Sequence, residues 1–121
     1  MIHYTPCVAQ FQFVEWLALW ILETLFFRFE WDEGNQRKSY LKHGVTCDEV
    51  EEFFILGSAI PIGVQVSPPV DEERLAIVGP TAESRLLMVV FTLRRGVVSA
   101  ISARAASRKE RRLYEKVRKV F

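Results

Sequence analysis

At 121 residues the chain is short enough for one hydrophobic core, and a composition that is 50% hydrophobic, 26% charged and 12% aromatic excludes a disordered polypeptide. The net charge of +1 conceals an asymmetry, because residues 1–73 hold 4 Lys/Arg against 12 Asp/Glu whereas residues 74–121 hold 12 against 3. A basic half of this kind fits a polyanion, which makes nucleic acid a candidate partner. Two cysteines, Cys7 and Cys47, and two histidines, His3 and His43, are too few for a disulfide framework or a zinc site. No metal or cofactor is expected, and the thiols suit a reducing, cytoplasmic setting.

The first element is the apolar stretch Phe11–Phe29, interrupted by Gln12, Glu15, Glu23 and Arg28. Its unbroken apolar run, Trp16–Leu22, falls short of the roughly 18 residues a membrane span needs. Glu15 and Glu23 also disfavour a membrane anchor, and no basic segment with a cleavage site marks a secretory leader. The stretch reads as a helix, apolar almost all round and peripheral to the domain that follows.

Asp32 is a helix N-cap and Gly44 a stop, which predicts a helix over 33–43. Thr46 and Glu49 then form a capping box inside a Val45–Val50 staple, so a second helix is expected to run to about Leu56. Ile62, Val64 and Val66 alternate as a strand does, Ser67-Pro68-Pro69 breaks the run, and Leu75–Val78 starts another strand. Leu86–Leu93 is apolar enough to occupy the middle of a sheet covered on both faces. Arg95-Gly96 is a turn, which makes Val97–Arg104 the antiparallel partner of that strand. Ser107 and Glu110 form another capping box, opening a helix with an apolar stripe of Leu113, Val117 and Val120 among Arg108, Lys109, Arg111, Arg112, Lys116, Arg118 and Lys119. The pattern is α+β: an antiparallel sheet with N-terminal helices and a C-terminal basic helix.

No Walker loop, GxGxxG, HExxH or GxSxG occurs, which removes support for nucleotide hydrolysis, hydride transfer, zinc proteolysis and serine hydrolysis. Arg, Lys, one histidine and carboxylates remain, a set able to cleave RNA without a metal. The ribose 2′-hydroxyl attacks the neighbouring phosphorus, so one proton is taken, another given, and charge accumulates on phosphoryl oxygens. Arginine forks suit that charge, and His43 suits proton transfer, although a histidine beside a helix C-terminus also complements the helix dipole.

Phe29-Glu30-Trp31-Asp32, Lys38, Lys42-His43-Gly44-Val45, Glu49 and Phe53-Phe54 together resemble the N-terminal signature of BrnT-type ribonuclease toxins. Glu73-Arg74, Gly79, Thr81, Arg85-Leu86-Leu87, Val89-Val90, Thr92, Arg94, Ile101-Ser102-Ala103-Arg104 and Ser107 to Arg111 with Tyr114-Glu115 follow the same family's order, so the resemblance spans about residues 29–116. It implies a RelE-like ribonuclease fold and a toxin of a type II toxin–antitoxin system that cleaves RNA, inhibits translation and growth, and forms a hetero-oligomer with a BrnA-like antitoxin. Carried over by position, it implies Lys38, Lys42, His43, Arg85 and Arg104 for catalysis. Arg74, Arg94, Arg108, Arg111, Arg112 and Tyr114 are implied for RNA binding; for Glu110 the capping role suffices. Residues 1–28 match nothing in the family and stand as an apolar helical extension or an upstream start, leaving 29–121 as the toxin domain. Ser39 replaces a usual Asn, Ser84 a usual Gly and Ser99 a frequent Arg. These departures keep open an alternative, a catalytically degenerate module that still binds antitoxin or nucleic acid.

Overall fold

The computed structural model describes residues 9–31 and 43–120. Its elements, in chain order, are β1 (Gln10–Gln12), α1 (Glu15–Glu23), β2 (Arg28–Glu30), α2 (Cys47–Leu56), β3 (Ile60–Ser67), β4 (Leu75–Pro80), β5 (Leu86–Arg94), β6 (Val97–Ala105) and α3 (Arg108–Val120). The strands form one six-stranded sheet in the order β1-β3-β4-β5-β6-β2. Every neighbouring pair is antiparallel except β2 and β6, so the sheet is mixed where the sequence reading expects a purely antiparallel one. The cause is local: β2 is only three residues long and joins the sheet edge by pairing with a strand nearly 70 residues later, which no turn chemistry announces. The expected helix over 33–43 falls almost wholly on residues 32–42, outside the described residues.

The β5–β6 hairpin forms as the turn residues dictate, with Arg95 at φ 53° and Gly96 at φ 77°, the paired positive angles of a tight hairpin turn. A bulge opposite Val90–Phe91 shifts the register around Ile101. The α2 capping box is made on both sides: the Glu49 N–H donates to Thr46 Oγ1 (3.1 Å) and the Thr46 N–H to Glu49 Oε1 (3.3 Å). Gly57, left-handed at φ 68°, ends the helix.

One face of the sheet carries the main core. Leu75 and Ile77 of β4, Leu87, Val89 and Phe91 of β5, and Val98, Ala100 and Ala103 of β6 are buried with Val45 and with Val50, Phe53 and Phe54 of α2. The helix expected across Phe11–Phe29 spans only Glu15–Glu23, flanked by β1 and β2. It is also not set aside from the core, because Leu17 is fully buried there and Trp20 stacks on Phe91 at 5.6 Å between ring centroids. The opposite face holds Ala76, Met88 and Val90, with Phe11, Ile62 and Ile101 beside them. There α3 covers Ile60, Val78 and Ala106 with Tyr114 and Val117. Leu113, expected in that stripe, is exposed, because the face turned to the sheet passes through Tyr114 instead.

Gly63 is the position where β1 lies against β3 without space to spare. Its φ is 149°, and an added Cβ would fall onto the Gln12 carbonyl and within 2.7 Å of the Phe13 nitrogen. Gly63→Ala is therefore expected to displace β1 and lower the unfolding free energy by about 2 kcal/mol. Urea denaturation with amide hydrogen exchange at Phe11 and Gln12 measures both effects; unchanged exchange there would show that β1 is not held by this contact.

Candidate functional site

The β4–β5 connection is built to present one arginine. Thr81 is buried and bonds its neighbour in both directions: the Thr81 N–H donates to the Arg85 carbonyl (2.9 Å), and the Arg85 N–H donates to Thr81 Oγ1 (3.2 Å). Closing so short a loop requires a left-handed residue, and Ser84 supplies it at φ 64°. Ser84 accepts a modest steric cost there, where glycine would have none.

The Arg85 guanidinium then spans three acceptors. Nη1 donates to the Gly44 carbonyl (3.0 Å) and to Glu49 Oε2 (3.3 Å), and Nη2 donates to the His43 carbonyl (3.2 Å). Glu49 thus serves two partners, the helix cap through Oε1 and Arg85 through Oε2. Of the five residues expected to carry catalysis, the structure brings His43 and Arg85 together; Lys38 and Lys42 lie outside the described residues.

Arg104 is separated from this cluster by the sheet. It pairs across the hairpin with Met88, on the face opposite the main core, and its guanidinium grips Glu110 of α3 through two bonds of 2.8 Å, with a third to the Ala105 carbonyl at 3.1 Å. Glu110 also accepts from the Ser107 N–H (2.7 Å), and its own N–H donates to Ser107 Oγ (3.2 Å), so the predicted capping box is present and carries an ion pair as well. The sequence identified Glu110 as a cap but gave no signal of its bond to Arg104, which depends on how α3 folds back over β6.

The expected RNA-binding residues divide three ways. Arg94 is engaged by Glu72 in an exposed ion pair, and Arg74 adds its charge to the same carboxylate. Arg108, Arg111 and Arg112 are exposed on α3, and no ion pair involves them among the described residues. Tyr114 is half-buried against Ile60, Val78 and Ala106, which engages its ring in packing. Ser99 pairs across the hairpin with Thr92, whose buried hydroxyl has no hydrogen-bond partner among the described residues. Cys47 is not poised as a nucleophile: burial and the charges of Glu51 and Asp48 push its thiol up. Among the described residues no group of three His, Cys, Asp or Glu side chains is placed to hold a metal ion.

Glu110 gives a pH test of this geometry. Burial alone would raise its carboxyl, but the hydrogen bonds from Arg104 and Ser107 and the Arg104 charge outweigh that and hold it below its ordinary 4.5. A carboxyl lowered in the folded state stabilises the fold above its ordinary value, and that contribution fades as pH falls toward the folded value. Glu110→Gln is expected to cost about 2 kcal/mol at pH 7, with the gap to the parent chain closing below pH 4.5. Denaturant unfolding across pH 3–7 measures it, and a pH-independent gap would show that the ionised carboxylate is not what stabilises the fold.

Comparison with known proteins agrees with the family resemblance and with the α+β fold. The family model described as ribonuclease toxin, BrnT, of type II toxin–antitoxin system matches residues 31–110, more than half of the chain. Among solved structures the chain is similar to the Brucella abortus ribonuclease toxin BrnT, determined at 1.1 Å, with 26% identity and a TM-score of 0.51 over 69% of this chain and 100% of that one. No curated protein matches it. The shared motif region and the shared α+β fold place this chain in the BrnT family of ribonuclease toxins of type II toxin–antitoxin systems.

Proposed function

We propose that this chain is itself an RNA-cleaving toxin that works without a metal ion in the cytoplasm, on a fold of the RelE-like type. The observation that carries the reading is the Arg85 cluster, in which an arginine whose backbone is held by Thr81 and whose guanidinium is held by Glu49 meets the backbone of His43. In this scheme Lys38, Lys42 and His43 position the scissile linkage and move protons, while Arg85 opposes charge on the phosphoryl oxygens. Arg104, across the sheet from that linkage, meets RNA phosphates away from it, and Arg74, Arg94, Arg108, Arg111 and Arg112 attract the RNA backbone. A BrnA-like antitoxin silences the toxin by offering acidic and apolar side chains to those cations, forming a hetero-oligomer.

Purified chain is expected to shorten bulk RNA in EDTA, and intact RNA with a folded chain would count against the reading. Arg111→Ala with Arg112→Ala is expected to weaken RNA binding and make the log–log salt dependence shallower by about 1.4, since a single-stranded phosphate contact contributes about 0.7. An unchanged slope would remove α3 from the RNA path.

A second reading, a degenerate module that only binds, draws on the carboxylates that occupy Arg85, Arg94 and Arg104 and on Ser99 standing where an arginine is frequent. Cleavage that appears only in Ser99→Arg would favour it.

The toxin unit is residues 29–121, with 1–28 as an added segment. A chain starting at residue 29 is expected to keep a cooperative thermal transition at a lower midpoint, because it loses Leu17 from the core. Loss of the transition would make the first 28 residues integral to the domain.

A further inference from the structure

The surface around α1 is apolar to a degree that the toxin reading leaves unused. On the helix Trp16, Leu19 and Leu22 are exposed on one stripe with Glu15 and Glu23, and the chain beyond adds Leu25 and Phe26. Leu22, Leu25 and Phe26 are 78%, 81% and 89% exposed, and Ile55 at the end of α2 is 72% exposed. Leu22, Leu25 and Ile55 also border a groove of about 240 Å³ whose floor includes Trp20, Phe54 and Ile77. Together with Phe13 and Leu56 these side chains expose on the order of 1,000 Å² in sum. Most of them precede residue 31, where the match to the toxin family begins.

We propose that this face is a self-association surface on which a second copy of the chain seats its Phe26 in the groove of the first, and the reverse. Three observations select that occupant. The patch holds a projecting ring and a recess side by side, and a two-fold contact needs both halves of a complementary pair on each copy. Its area exceeds the roughly 800 Å² per partner of a standard stable interface. Glu15 and Glu23 lie on the helix stripe, which disfavours an anionic bilayer as the occupant. The ring of Phe26 stands nearly free of its own chain, so docking it costs no existing contact.

The full chain is expected to sediment at twice its mass of 14.0 kDa at micromolar concentration, with a thermal midpoint that rises with protein concentration. Phe26→Asp combined with Leu22→Glu is expected to sediment as a monomer and to lose that concentration dependence. Both positions are solvent-facing, and circular dichroism of the variant checks that the fold is kept. Flotation with phosphatidylcholine vesicles, with and without phosphatidylglycerol, is expected to leave the chain unbound. A parent chain at 14.0 kDa, open-ended polymers, a dimer that survives the double substitution, or flotation with either vesicle would each overturn the proposal. None of these readouts depends on RNA cleavage.

Discussion

Phe54 holds the molecule together. Its ring lies 5.2 Å from Phe91 in β5, 5.3 Å from Phe27, 5.5 Å from Phe29 in β2 and 5.5 Å from its neighbour Phe53, centroid to centroid. Edge-to-face and tilted pairs of this kind add about 0.5–1.5 kcal/mol each beyond the area they bury. One side chain of α2 therefore fastens the middle of the sheet to its parallel edge strand and to the segment that leads there from α1. Trp31 completes the attachment by stacking on Phe29 and donating its indole N–H to Glu51 at 3.0 Å. The Phe29-Glu30-Trp31 signature thus has a packing explanation: it secures a three-residue strand that is too short to be held by its ladder alone.

Fixing α2 against the sheet also fixes the start of α2, and with it the Arg85 cluster. Val45, just before the cap, and Val50, in the helix, are both buried in the core, and this staple sets the angle at which the chain enters α2 and presents Glu49 to Arg85. Arg85, Glu49 and the carbonyls of His43 and Gly44 form a joint between two elements far apart in sequence. A guanidinium in such a joint is held in a defined orientation, with three of its five N–H donors engaged by these acceptors. In the proposed reaction a phosphate would take the remaining donors or displace Glu49, a carboxylate of the same single charge as a phosphodiester.

What was legible in the sequence was the local chemistry. Both capping boxes, the Arg95-Gly96 turn and the buried strand Leu86–Leu93 are each specified by residues a few positions apart, and each formed. What failed depended on distant partners. The β1 and β2 strands have three residues apiece, too few to show a period of two inside an apolar stretch that reads equally well as helix. The choice of Tyr114 over Leu113 for the α3 interface was equally hidden, since both lie near the apolar side of the helix and only the direction in which α3 crosses β4 decides between them. For the site, residue types were legible and grouping was not: Arg85 and Arg104 read as a pair until the hairpin register put them on opposite sides of the sheet.

The charge asymmetry of the chain acquires a finer meaning from these pairings. The carboxylates of Glu49, Glu72 and Glu110 each take one arginine of the basic half, so Arg85, Arg94 and Arg104 have local work whatever else they do. The Arg94–Glu72 contact is exposed and contributes little to stability, whereas Arg104 and Glu110 are mostly sheltered and bonded twice. Beyond Glu110 the helix changes character. Its first turn spends its acidic residue on the cap and on Arg104, and Arg111, Arg112, Lys116, Arg118 and Lys119 follow with no ion pair among the described residues. Arg118 and Lys119 in the last turn are favoured by the negative end of the helix dipole, and Glu115, one turn from Arg111, Arg112, Arg118 and Lys119, is the acidic residue among them. The arginines engaged by carboxylates thus lie on β5, β6 and the β4–β5 connection, and cations that form no ion pair among the described residues are gathered on α3.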